Sequence, residues 1–126
     1  MVSLERKLKF LKKLSYHSDF APLKVFPLKK PVLEIREMNS RRLSFYKYRL
    51  QKKIKLIEKT IQEIEKDLKN ISPSEKIDLL PLLNEIPFAR NIIKLAKEEL
   101  LKDIDLQLKK IKKQEAKIMA SQPSQH

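Results

Sequence analysis

The sequence predicts an all-α protein: an antiparallel helical hairpin or coiled coil, preceded by a short N-terminal amphipathic helix and an extended, proline-containing strap. Three observations predict this fold class. Apolar residues recur at heptad spacing from residue 43 to residue 71, glycine is absent from the 126 residues, and charged residues make up 36% of them. Long, packed helices have this patterned, charged composition, whereas the tight hairpins of β-rich folds depend on glycine for positive φ.

Residues 1–19 are predicted to form the N-terminal amphipathic helix. Ser3 can cap this helix, and its apolar face comprises Leu4, Leu8, Leu11 and Leu14. Such a helix can dock onto the protein's own hairpin or onto a partner. A mitochondrial presequence is the alternative interpretation, although the acidic residues Glu5 and Asp19 are atypical of one.

Residues 20–39 are predicted to form the extended strap. Pro22, Pro27 and Pro31 exclude a regular helix and favour extended backbone before each proline. The stretch is rich in apolar residues, including Phe20 and Phe26. We expect it to lie along a surface, with both rings buried only when a partner is bound. An apolar linker is the alternative.

Residues 40–119 are predicted to form the hairpin. Its first helix, 40–71, can be capped by Asn39 or Ser40. Heptad position a is occupied by Leu43, Leu50, Ile57, Ile64 and Ile71, and position d by Lys47, Ile54, Ile61 and Leu68. Lys47 is the one charged residue in this seam, which is otherwise typical of a coiled coil.

The connection and the second helix of the hairpin follow. The run Ser72-Pro73-Ser74-Glu75 is a capping box that predicts a short helix over 73–80, ended by Pro81. The second long helix is predicted over 84–119. From Ile93 to Ile111 its apolar residues are spaced 3, 4, 4, 4 and 3 apart, which departs from a strict heptad. We expect this helix to pack on two neighbours, and residues 120–126 to form a disordered tail.

We expect the apolar faces of these segments to bind helices of partner proteins, because an isolated hairpin has a thin core. The predicted protein-interaction residues are Leu43, Leu50, Ile54, Ile57, Ile61, Ile64, Leu68, Phe20, Phe26, Phe88, Ile92 and Leu95. The seam can close within one chain or between two, and the sequence leaves both possibilities open.

The charge distribution predicts a polyanionic partner. The formal net charge is +13, and residues 1–55 carry 16 Lys and Arg against 4 Asp and Glu. Antiparallel packing brings the start of the first long helix to the end of the second, which creates one basic pole. Phe45, Tyr46 and Tyr48 are interleaved with its cations, as suits phosphate contact combined with stacking. The predicted nucleic-acid contacts are Arg41, Arg42, Lys47, Arg49, Lys52, Lys53, Lys109, Lys110, Lys112 and Lys113. A solvated basic face is the alternative.

Several classes of function are excluded or disfavoured by the composition. Without cysteine, and with only His17 and His126, the chain has no residues for a zinc site, and without glycine it has no phosphate-binding loop. The carboxylate pairs Glu98–Glu99 and Asp103–Asp105 are interpreted as parts of solvated helix faces. We therefore expect no catalytic residue, metal, cofactor or small-molecule substrate, and no apolar run long enough for a membrane span.

The functional expectation is a non-enzymatic, architectural coiled-coil subunit of a multiprotein complex that acts on nucleic acid, such as a chromatin, kinetochore or ribosome-assembly complex in the nucleus. Its partners would be protein subunits and the phosphate backbone of DNA or RNA. Two alternatives stay open. The chain can be a mitochondrial ribosomal or assembly protein of the matrix, or a protein–protein scaffold that contacts no nucleic acid.

Overall fold

The computed structural model describes residues 3–26 and 34–121, and all regular secondary structure in these ranges is helical, which confirms the predicted all-α class. The α-helices are α1 (Leu4–Ser15), α2 (Ser40–Leu68), α3 (Pro73–Leu83), α4 (Glu85–Leu95) and α5 (Leu101–Ser121). Short 3₁₀ turns occupy Ser18–Phe20 and Ile35–Glu37. A π-helical turn, Ala96–Leu100, joins α4 to α5, and we call the whole run 85–121 the C-terminal helix.

Three helices begin at the caps that the sequence predicts. Ser3, Asn39 and Ser72 are the N-caps of α1, α2 and α3. In each case the side-chain oxygen accepts a hydrogen bond from the backbone N–H three residues later, at 2.9 to 3.3 Å. These bonds satisfy N–H groups that have no partner inside the helix.

Helix α2 and the C-terminal helix lie side by side and run in opposite directions. Three ion pairs join them: Glu65 with Arg90, Glu58 with Lys97 at 2.9 Å, and Lys47 with Asp105 at 2.7 Å. In these pairs the residue number in the C-terminal helix rises as the residue number in α2 falls, as antiparallel packing requires. The last pair also explains the charged residue in the apolar seam, because Asp105 neutralises Lys47 across it.

Helix α1 belongs to the same core and contacts both α2 and α4. Leu8 and Leu11 are fully buried, and the ring of Tyr16 stacks on that of Phe88 with 4.5 Å between centroids. Helix α2 therefore has neighbours on two sides. Its buried face is wider than the heptad seam and includes Tyr46.

The expectation of an extended strap is wrong for residues 20–26, and in 34–39 the 3₁₀ turn Ile35–Glu37 interrupts the backbone, which is extended at Glu34, Met38 and Asn39. Over residues 20–26 the chain folds into consecutive turns, in which Phe20, Leu23 and Phe26 each donate a backbone hydrogen bond to the carbonyl three residues earlier at 3.0 Å. This spacing turns all three side chains into the core. Pro22 is compatible with the turn because its fixed φ suits a turn position. Residues 27–33, with Pro27 and Pro31, lie outside the described residues.

Several helix boundaries also differ from prediction. Helix α1 ends at Ser15 instead of near residue 19, and α2 ends at Leu68, so that Ile71 lies outside the helix that was predicted to run to it. Helix α3 continues through Pro81 to Leu83 instead of ending at residue 80. Pro81 lies in the last turn and is exposed, so only one helical hydrogen bond is lost and water can satisfy the freed carbonyl. Helix α5 extends to Ser121, beyond the predicted 119, and the rest of the predicted tail lies outside the described residues.

The π-helical turn accounts for the irregular apolar spacing of the second long helix. In an α-helix, residues four apart drift by about 40° around the axis at each step. A π turn holds more residues and rotates the side chains back. Ile92, Ala96, Leu100 and Ile104 are four apart and all buried, with the π turn in their middle.

Candidate nucleic-acid interface

The first half of α2 presents a basic outer face. No Asp or Glu occurs from Asn39 to Ile57. Residues spaced alternately four and three apart lie on one face of a helix. On the face of α2 opposite the core, this spacing defines what we call the basic–aromatic stripe: Arg41, Phe45, Tyr48, Lys52, Lys55 and Lys59. All six are exposed, and the stripe runs for about 27 Å along the helix.

The three aromatic residues of this region have different environments. Phe45 is 63% exposed and Tyr48 53% exposed, whereas Tyr46 is buried. Cations lie against the exposed rings: the Arg49 guanidinium is 6.0 Å from the Phe45 centroid, and the Lys52 ammonium is 4.7 Å from that of Tyr48. The predicted interleaving of basic and aromatic residues is therefore present at the surface for two rings only.

Three of the predicted phosphate contacts form intramolecular ion pairs instead. Lys47 pairs with Asp105. Arg49 and Lys53 pair with Asp19 at 3.4 and 2.8 Å, and the Asp19 side chain is only 11% exposed. Phosphate contact by these three cations would compete with existing partners, so the expectation that they are available for it is corrected. Sequence reasoning missed Asp19, although it and Glu5 are the only acids in residues 1–33.

The surroundings of Asp19 hold the N-terminal segment on α2. Burial by itself would raise the pKa of Asp19, but the hydrogen bond from Lys53 and the charges of Lys53 and Arg49 outweigh it, so that the pKa lies below its usual value. The hydroxyl of Tyr46 donates to the backbone carbonyl of Asp19. Burial raises the pKa of Tyr46, and the phenol therefore stays protonated as a donor.

The other predicted cations are exposed and form no ion pair within residues 3–26 and 34–121: Arg41, Arg42, Lys52, Lys109, Lys110, Lys112 and Lys113. Most of them come together at one end of the molecule. Beyond the Lys47–Asp105 pair, α2 continues back to Ser40 and α5 continues forward to Ser121. We call the two groups there, Arg41–Arg42 and the lysines of 109–113, the basic end.

The predicted protein-interaction residues have a different location from the one expected. Phe20, Phe26, Leu43, Leu50, Ile54, Ile57, Ile61, Ile64 and Ile92 are buried in the chain's own core, and Leu68, Phe88 and Leu95 pack against it. The expectation that Phe20 and Phe26 need a partner for burial is wrong, because α2 and its neighbours cover them. Apolar side chains available to a partner lie elsewhere, with Ile77 and Leu80 of α3 among the most exposed.

The carboxylates that the sequence places in pairs have two different environments. Asp105 is paired with Lys47, whereas Glu99 and Asp103 line an open cleft of about 620 Å³, together with a third acid, Glu34, and the cations Lys24, Arg36 and Lys110. In the described part of the chain, no group of three or more His, Cys, Asp or Glu side chains could hold a metal ion.

The sequence matches no protein-family model, and no curated protein or solved structure is significantly similar to it. Within the described ranges, none of the helices has both the length and the apolar character needed to cross a membrane.

Proposed function

We propose that this chain is a non-catalytic, architectural subunit of a complex that acts on nucleic acid, built as an antiparallel helical hairpin braced by α1. It contacts phosphate through the basic end and the basic–aromatic stripe. The observation that carries the proposal is the group of seven exposed cations of α2 and α5 that have no acidic partner in the described part of the chain. The complex is nuclear, with the mitochondrial matrix as the alternative location.

Electrostatics supports this proposal. Cations concentrated at one end repel each other, and within the described residues Glu115 is the one acid of α5 beyond Asp105. A polyanion removes that repulsion and releases its own condensed counterions, which is the main source of affinity in non-specific nucleic-acid binding.

The subunit role is supported by the exposed apolar residues of α3. Ile77 and Leu80 are 65% and 54% exposed and lie one turn apart. Adjacent exposed apolar side chains are typical of protein contacts. They also favour the second candidate function, a protein–protein scaffold without nucleic-acid contact, in which the lysines only confer solubility.

Charge reversal tests the proposal. We would replace Arg41, Arg42 and Lys112 by Glu and measure duplex DNA binding by fluorescence anisotropy as a function of salt. With about five phosphate contacts the wild type should show a log–log slope near −4.5, and each lost contact should flatten it by about 0.9. Arg49 is left intact because it holds Asp19.

The matched control reverses Lys66, Lys69 and Lys76, which are exposed residues of the other end. Binding close to that of the wild type is expected for the control, with unchanged circular dichroism for both triple variants. Equal losses in the two variants would mean that only the diffuse field of the protein acts. No binding by the wild type even at ~50 mM salt would favour the scaffold function.

A further inference from the structure

We infer that the basic–aromatic stripe binds single-stranded RNA, with bases stacked on Phe45 and Tyr48 and phosphates held by the cations around them. This inference rests on the proposed function and deepens it, because it names the form of nucleic acid and the residues that select it. Helix α2 already buries a complete apolar face, and it carries two more large rings on its opposite face.

Neither ring contributes to the core. Phe45 and Tyr48 are more than half exposed, and they lie between Arg41 and Lys52 on the same face. Phosphate contact alone needs only cations. Rings that stand out between cations add flat apolar surface that a base can cover, and every base has such a face.

The geometry favours a single strand over a duplex. In a duplex the bases are stacked on each other, and inserting a ring between them costs the free energy of unstacking. An unpaired strand presents its bases at a lower cost, because no base pair has to open. The two rings are one helical turn apart, about 4.5 Å along the axis, so neighbouring bases can reach both. The backbone of the strand then lies next to Lys52 and Lys55, which belong to the part of α2 that has no acidic residue.

Polar groups beside the rings favour RNA over DNA. Ser44 and Gln51 are exposed on the flank of the stripe, and Tyr48 carries its own hydroxyl. These groups can donate to and accept from a ribose 2′-hydroxyl, the group by which proteins distinguish the two nucleic acids.

The test compares four probes: a labelled, unstructured oligoribonucleotide, the DNA strand of the same sequence, the RNA duplex, and vesicles containing anionic lipid. Phe45→Ala combined with Tyr48→Ala should weaken binding of the single-stranded RNA by roughly tenfold or more for each ring lost, and should leave duplex binding nearly unchanged. Wild-type protein should bind the RNA strand more tightly than either the duplex or the DNA strand.

The control variant is Ile77→Ala combined with Leu80→Ala, which removes side chains of similar exposure from α3. It should bind RNA like the wild type, and both double variants should keep the wild-type circular dichroism, because neither changes the core.

Equal affinity for single strand and duplex, with no effect of the ring substitutions, would overturn this inference while the phosphate contact stands. The inference would also be wrong if DNA bound as tightly as RNA, or if ring loss abolished only vesicle binding. Failure of every polyanion to bind would overturn the proposed function as well.

Discussion

Helices α1 and α3 are of nearly equal length, 12 and 11 residues, and both begin at a serine cap, yet the fold uses them in opposite ways. Helix α1 carries five Lys and Arg and still buries Leu8 and Leu11 completely. Helix α3 carries one lysine and is the more apolar of the two, but none of its side chains is fully buried.

The difference lies in how the apolar residues are arranged. In α1 the leucines recur three or four residues apart and make one continuous face, which α2 and α4 cover. In α3 the apolar side chains are divided between two sides: Leu79, Leu82 and Leu83 are half-buried against the core, whereas Ile77 and Leu80 are exposed. Apolar content therefore does not decide burial here. A helix is buried when its apolar residues share one side.

The largest expected effect tests this comparison directly. Leu11→Ala in α1 should lower the free energy of unfolding by about 2–5 kcal/mol, because it leaves a cavity in the core. Leu80→Ala in α3 removes the same atoms from an exposed site and should cost less than about 0.5 kcal/mol. Urea denaturation followed by circular dichroism measures both, and equal losses would contradict the difference between the helices.

The next effect concerns the anchor that follows α1. Asp19→Asn should cost about 1.5–3 kcal/mol at neutral pH, towards the lower value because Arg49 is half exposed and screened by solvent. The folded-state pKa of Asp19 is lowered from 3.8. Its stabilisation is therefore complete above that value and is lost as the pH falls through the folded-state pKa. Unfolding free energies of wild type and variant should converge in acid, and a difference independent of pH would exclude the ion pairs as its source.

A smaller effect is expected at the second anchor. Tyr46→Phe keeps the buried ring and removes the hydroxyl that donates to the Asp19 carbonyl, at a cost of about 0.5–1.5 kcal/mol. Hydrogen exchange should show faster opening of the turns over 18–26, with the amides of α3 unchanged. Faster exchange in α3 instead would show that the anchor supports a larger unit than the N-terminal segment.

The smallest effect compares the two caps. Ser3→Ala and Ser72→Ala each remove one N-cap hydrogen bond, typically worth about 1 kcal/mol or less at an exposed helix end. In α3, which has no fully buried side chain, the loss should appear as local fraying in hydrogen exchange and leave the global denaturation midpoint nearly unchanged. In α1, whose burial couples it to the core, the midpoint should move. A shift of the midpoint by Ser72→Ala as large as that by Ser3→Ala would mean that α3 is more tightly coupled than its exposure indicates.

Much of the candidate site could be read from the sequence, but not its details. The acid-free start of α2 and the cluster of lysines over 109–113 are visible as composition. The ion pairs of Arg49 and Lys53 with Asp19 cannot be read from the sequence, because the partners are 30 and 34 residues apart and meet only after α1 has docked. Tyr46 and Tyr48 are chemically identical and two residues apart, and only the second neighbour of α2 makes one a core residue and leaves the other at the surface.

The sequence by itself determined the helices, their caps and the apolar seam of α2, because these features depend on residues within one or two turns of each other. The turns over 18–26, the π-helical turn, the burial of α1 and the choice between paired and exposed cations were decided by the tertiary structure. These features depend on contacts between distant segments, whose free energy exists only when both partners are in place. The same physical reason explains why part of the strap that was expected to be extended belongs to the core. Phe20 and Phe26 are buried against α1 and α2, and the local sequence pattern does not encode these contacts.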